Sequence, residues 1–217
     1  MSKKARALII VAAAVFLAMA GVGIYCRIYY RLVRVTSGSM ANTLIPGDRA
    51  LCGWNVGEVK RGDIVMFKLP TDPKVMYMHR VIGLPGETIQ VKGHRVFVNG
   101  GELPEERALV RLTGLEEPQS PVKIEPKPQG AWYRVFYDVD RYSDGDDFEI
   151  NPAVKYGVAA SYKIPPDNYF MLGDSRDNCM DSRYWGTVPR DLIVGKAIMI
   201  FDSSAKGAEG RLFKPLE

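Results

Sequence analysis

From Ala7 to Cys26 the chain carries no charged residue. At 1.5 Å of rise per residue, a run of about 20 residues crosses the hydrocarbon core of a bilayer as a helix. Lys3, Lys4 and Arg6 precede the run, and Tyr25, Tyr29 and Tyr30 fall where an interfacial aromatic belt sits. Two readings are open. One is a membrane anchor over 7–26; the other is a removable signal peptide cut at the small-x-small motif Ala18-Met19-Ala20. The apolar run continues past that motif to Tyr25, which favours the anchor. Three basic residues before the span are balanced by Arg27, Arg31 and Arg34 after it, so charge alone does not choose an orientation. A second run of spanning length is absent, which puts everything after the anchor on one side of the membrane.

The rest of the 217 residues reads as mainly β. Short apolar runs bounded by Gly, Pro or Asp occur at 48–54, 63–69 and 75–84. Residues 88–91 and 95–98 flank Lys92-Gly93-His94, a hairpin turn. Further strands are expected at 132–139, 169–172 and 192–201, the last with a bend or bulge at Gly195. Many short strands with frequent Gly and Pro point to an antiparallel β-barrel or folded sheet. Between about 100 and 166 the texture changes, with four prolines in 116–130, and this stretch reads as an inserted smaller subdomain. The net charge of +4 is spread along the chain and forms no basic block, which argues against nucleic acid as a partner. Three cysteines fit no zinc spacing; Cys52 and Cys179 are candidates for a disulfide in an oxidising compartment.

Three segments hold candidate chemistry. Ser37-Gly38-Ser39-Met40 offers Ser39 beside a glycine that lets the backbone approach a ligand. Alone, this reads more readily as a linker or a helix N-cap. Tyr77-Met78-His79-Arg80 offers His79 in a strand-like run, where an isolated histidine is more often a satisfied core residue. A serine nucleophile needs a neighbouring base, and an imidazole with an ordinary pKa of about 6.5 can serve. The other histidine, His94, is expected to be exposed in its turn. In the third segment, Gly173 to Gly186, Asp174, Asp177, Asp181, Arg176 and Arg183 can pair with one another, and a short helix is expected after Asp181. A calcium loop is disfavoured there, because the EF-hand spacing is missing and two arginines oppose a cation. Asp181 is placed to orient His79, as the third member of a triad does.

In this order, four segments resemble type I signal peptidases: Ser37 to Leu44, Arg61 to Phe67, Tyr77 to Glu87, and Gly173 to Gly186. The most specific is Gly-Asp-x-Arg-Asp-Asn followed by Asp-Ser-Arg-Tyr-Trp-Gly. The resemblance implies a membrane-anchored serine endopeptidase that removes signal peptides from exported preproteins bearing Ala-x-Ala-like sites. It implies Ser39 as nucleophile, His79 at the base position, and Ser37 hydroxyl with the Ser39 amide as oxyanion hole. Met40, Tyr77 and Met78 would line the substrate pockets, with Asp181 and Arg183 as support. Neither metal nor cofactor is implied; the partners are preproteins and the lipid bilayer. By the same analogy, residues 1–6 are cytoplasmic, 7–26 span the bacterial plasma membrane, and 35–217 form the extracytoplasmic domain.

Three departures matter. Asn42 replaces the usual proline after the serine, Cys179 replaces a small hydroxyl residue near the base, and His79 stands where bacterial members usually carry lysine. Endoplasmic-reticulum-type members use histidine there, whereas the third segment is of the bacterial type. Two other functions stay open: a catalytically inactive, membrane-tethered preprotein-binding homologue, and a peptidase dedicated to one substrate such as a pilin.

Overall fold

The structure, a computed structural model, describes residues 2–111, 118–142, 153–158 and 160–216. The charge-free run forms α1 (Lys3–Tyr29), capped by Ser2, whose hydroxyl accepts from the Ala5 amide at 3.2 Å. Its 27 residues span about 40 Å, more than a bilayer core requires. Large apolar side chains on it remain open, Phe16 at 67% and Leu17 at 69% exposure. A helix that is apolar all round and covered by no protein suits lipid.

Strand β1 (Tyr30–Arg34) leaves α1 directly, followed by β2 (Asp48–Gly53), β3 (Ile64–Leu69) and β4 (Asp72–Gly83). Next come β5 (Thr88–Lys92), β6 (Arg95–Val98), β7 (Gly101–Glu102), β8 (Glu106–Val110), β9 (Lys123–Ile124) and β10 (Arg134–Asp138). The order continues with β11 (Tyr162–Lys163), β12 (Asn168–Leu172), the one-turn helix α2 (Ser182–Trp185), β13 (Val188–Pro189), β14 (Ile193–Ser203) and β15 (Lys214–Pro215).

The main sheet runs β1-β2-β14-β3-β4-β12-β13, with β15 on β14, and its pairings are antiparallel. β1 and β13 are its two ends, so it is a folded sheet and not a closed barrel. The register slips between Ile193 and Gly195, the bulge expected at that glycine. A second sheet, β11-β5-β6-β7, carries the 92–95 hairpin with Gly93 at φ +51°. The third, β10-β8-β9, departs from the antiparallel expectation, because β8 and β10 are parallel. The long connection between them allows the crossover that a parallel pair needs.

Leu109, Tyr133, Val135 and Tyr137 from the 100–166 stretch share a buried cluster with Ile82, Ile89, Phe170 and Leu172. His94 is not exposed as its turn position suggested. It is 5% exposed and packs edge-on against Tyr137 at 4.7 Å, because the third sheet folds over the hairpin tip. Cys52 and Cys179 are both free thiols.

Candidate active site

Alternation along β4 puts Tyr77 and His79 on one face, and Met78 and Arg80 on the other. Val65 of β3 lies opposite His79, which is fully buried. The imidazole sits among rings: Tyr77 at 5.3 Å, Phe67 at 5.7 Å, and Trp185 of α2 stacked at 6.4 Å. Its Nε2 lies 3.3 Å from Cys179 Sγ, and its Nδ1 is buried with no partner among the described residues. Burial lowers its pKa to about 4; the charges of Asp181 and Asp174 oppose this, and Arg183 adds to it. His79 is therefore neutral at pH 7, and the ordinary value near 6.5 does not apply to it.

The serine segment builds a turn between β1 and β2. Ala41 N donates to Gly38 O at 2.9 Å and Leu44 N to Met40 O at 2.7 Å. This aims the Ser37 and Ser39 hydroxyls at each other, 3.0 Å apart. Met40 and Leu44 anchor the turn in a cluster with Ala50, Cys52, Ile64 and Ala197, and Met78 packs on it. Asn42 closes the turn in the left-handed region at φ +69°, where proline's fixed φ of about −65° cannot go. Its Oδ1 accepts from Gln119 N at 2.8 Å, tying the turn to the 100–166 stretch.

Ser37, Ser39, Met40, Tyr77 and Met78 together line a cleft of about 370 Å³, closed on its other sides by Val33 to Thr36 and by Val75 and Met76. Five of the eight predicted site residues thus line one cleft. The remaining three lie behind it. Ser39 O accepts from Ser175 N at 3.1 Å, and Asp174 N points at Met40 Sδ, 3.3 Å away. Between them Gly173 has no room for a side chain: a Cβ there would lie 2.3 Å from Cys179 Sγ and 2.5 Å from Ser39 O. That contact stacks Ser39, Cys179 and His79 in sequence.

The charged residues of the third segment do not simply pair among themselves. Asp181 and Arg183 do, with Arg183 Nε to Oδ1 at 2.8 Å and Nη2 to Oδ2 at 2.9 Å. Asp181 also caps α2 by accepting from Arg183 N. Burial alone would raise the Asp181 pKa, but the Arg183 charge and hydrogen bonds outweigh it and hold the group below its usual range. Asp174 instead takes both Arg80 Nε at 2.8 Å and Nη2 at 2.7 Å, and accepts from Thr43 Oγ1 at 2.7 Å. Arg176 reaches Glu105, and Asp177 accepts from Asp138 N. The segment is therefore a clamp between β4, the serine turn and the 100–166 stretch.

Among the described residues no hydrogen bond joins Ser39 to His79, and none joins His79 to Asp181. The Ser39 hydroxyl is engaged by Ser37, and Cys179 stands between the imidazole and the carboxylate. Free catalytic groups are often loose until substrate seats. Sequence reasoning missed the Arg80–Asp174 pair, the role of Gly173 and the Cys179–His79 contact. Only Cys179, by its departure from the family pattern, gave a signal.

The family described as "Signal peptidase, peptidase S26" matches residues 7–202. The chain belongs to the signal peptidase family. It is 32% identical to a signal peptidase I of Pseudomonas fluorescens and 34% identical to one of Pseudomonas aeruginosa, in each case over 78% of this chain. It spans 64% of the length of both relatives. A crystal structure of a signal peptidase I from Enterococcus faecalis superposes with a TM-score of 0.37 at 21% identity, covering 65% of this chain and 98% of that one. Family membership and the exposed apolar helix Lys4–Tyr29 together mark a membrane-anchored protein.

Proposed function

We propose that the chain is a membrane-anchored serine endopeptidase that removes signal peptides from exported preproteins. Ser39 is the nucleophile and His79 the general base. The observation that carries this reading is the single cleft lined by Ser37, Ser39, Met40, Tyr77 and Met78, with the neutral histidine one layer behind. An extended preprotein segment enters between the chain leading from β1 and the start of β4. Met40 and Met78 line that cleft and would limit it to small side chains, as an Ala-x-Ala-like site requires. Ser39 Oγ attacks the scissile carbonyl as His79 takes its proton. The Ser37 hydroxyl turns from Ser39 to the developing oxyanion, beside the Ser39 amide. His79 then protonates the leaving amine, and water releases the acyl group. With the N-terminus in the cytoplasm, the cleft lies on the far face of the plasma membrane, where preproteins emerge.

The test is turnover by the purified, detergent-solubilised full chain of a precursor with an Ala-x-Ala site. Ser39→Ala is expected to lose about 10⁴-fold or more in kcat/KM, as loss of an activated serine does. No turnover by wild type, with the precursor still bound, would replace the peptidase by a binding homologue.

A further inference from the structure

The connection from β1 to β2 carries Ser39, and one side chain from the far end of the sequence reaches into it. After β14 the chain returns along this connection: Ser204 N donates to Gly47 O at 3.0 Å, and Leu216 packs on the cluster that holds Met40 and Leu44. Between them lies Arg211, 6% exposed. Its Nη1 donates to Asn42 O at 3.3 Å and its Nη2 to Thr43 O at 3.0 Å. The same guanidinium is paired with Asp48, Nε to Oδ1 at 3.1 Å and Nη2 to Oδ2 at 2.5 Å. Asp48 is fully buried, and its Oδ2 also accepts from Ile45 N at 2.9 Å. One buried ion pair therefore holds two carbonyls and one amide of the serine turn. The turn needs such support. Asn42 stands at φ +69°, a conformation that persists in a non-glycine residue only when its surroundings enforce it. A guanidinium presents five donors in a rigid plane, so it can meet both carbonyls and the carboxylate at once.

We infer that Arg211 is a positioning residue for Ser39: its guanidinium, locked by Asp48, fixes the Asn42 and Thr43 carbonyls and so sets where the Ser39 hydroxyl stands in the cleft. This rests on the reading of Ser39 as nucleophile. Arg211 lies outside residues 7–202, the part of the chain that matches the family, and outside the cleft lining. It forms and breaks no bond in the reaction. The turn is held at two ends: Ser175 N donates to Ser39 O at 3.1 Å at the near end, and Arg211 holds the far end. With the far end released, Asn42 can leave its left-handed conformation and Ser39 shifts with it. A misplacement of about 1 Å at a reacting atom costs on the order of 100-fold in rate.

Arg211→Ala would strand the buried Asp48 charge and confuse positioning with folding. The double variant Arg211→Gln/Asp48→Asn removes both charges together and keeps an amide oxygen at position 48 to accept from Ile45 N. Arg211→Lys keeps Asp48 paired but cannot span both carbonyls. Precursor cleavage by the full chain in detergent is measured per folded molecule, alongside amide hydrogen exchange over residues 40–45. The double variant is expected to unfold close to the wild-type midpoint, exchange faster over 40–45, and lose about 10- to 100-fold in kcat with KM little changed. Arg211→Lys is expected to fold and to lose about 10-fold in kcat. Wild-type kcat per folded molecule in either folded variant would overturn the assignment, because a purely structural pair changes the folded fraction and not the rate of folded molecules. A raised KM at unchanged kcat would overturn it as well. Should the double variant not fold, Arg211→Lys decides. If the wild type cleaves no precursor, the peptidase reading falls, and unaltered exchange over 40–45 in the variants would separately show that Arg211 does not hold the turn.

Discussion

Ser39 stands on a turn that solvent reaches, with its hydroxyl against that of Ser37, whereas His79 is sealed inside β4 among Tyr77, Phe67 and Trp185. The serine half is partly open to solvent; the histidine half is fully buried. Burial makes the histidine a neutral acceptor at any pH above about 4, without the help that a lysine would need to lose its proton. It also costs stability in acid. Between pH 6.5 and about 4 the unfolded chain binds a proton that the native imidazole refuses, so stability falls as pH drops through that window. The loss is on the order of 3 kcal/mol for the shift involved.

The contrast can be broken most severely at the histidine. His79→Ala is expected to lower kcat/KM by about 10³-fold while the fold is retained, since it removes the proposed base, which lies outside the cleft lining. Near-normal rates would mean that the base lies elsewhere. Next comes the clamp joining the two halves. Arg80→Ala leaves Asp174 buried without its cation, and a loss of about 3–5 kcal/mol is expected in denaturant unfolding of the solubilised chain. A loss below about 1 kcal/mol would show that Asp174 is not dependent on Arg80. The smallest change tests the open half. Asn42→Ala removes the Gln119 contact and places alanine at a left-handed φ, costing about 1–2 kcal/mol. Asn42→Pro is expected to cost more than Asn42→Ala, because proline's φ cannot reach +69°. Equal stability of the two variants would contradict the turn geometry described above.

Local patterns were legible in the sequence, and long-range pairings were not. The hairpin at Gly93, the bulge at Gly195 and the short helix after Asp181 each follow from neighbours a few residues apart. The apolar run of α1 is local in the same sense. Arg80 meets Asp174 across 94 residues, and Cys179 meets His79 across 100, so no periodicity or spacing reveals either contact. His94 shows the same limit: its turn follows from Lys92-Gly93-His94, but its burial depends on Tyr137 from a later strand. For the site, the residues were legible as types in an ordered set of motifs. Their protonation was not, because the pKa of His79 is set by what covers it and not by its identity.

The central claim is that a buried, neutral His79 serves Ser39 as base. The most direct test is the pH dependence of kcat/KM for precursor cleavage by the full chain, with folding monitored at each pH. The predicted profile stays level from neutral pH downward and bends on its acid side near pH 4, following the folded enzyme's histidine. A bend near 6.5 would indicate a solvated imidazole, and a bend well above neutral would indicate an amine base; either result would contradict the account.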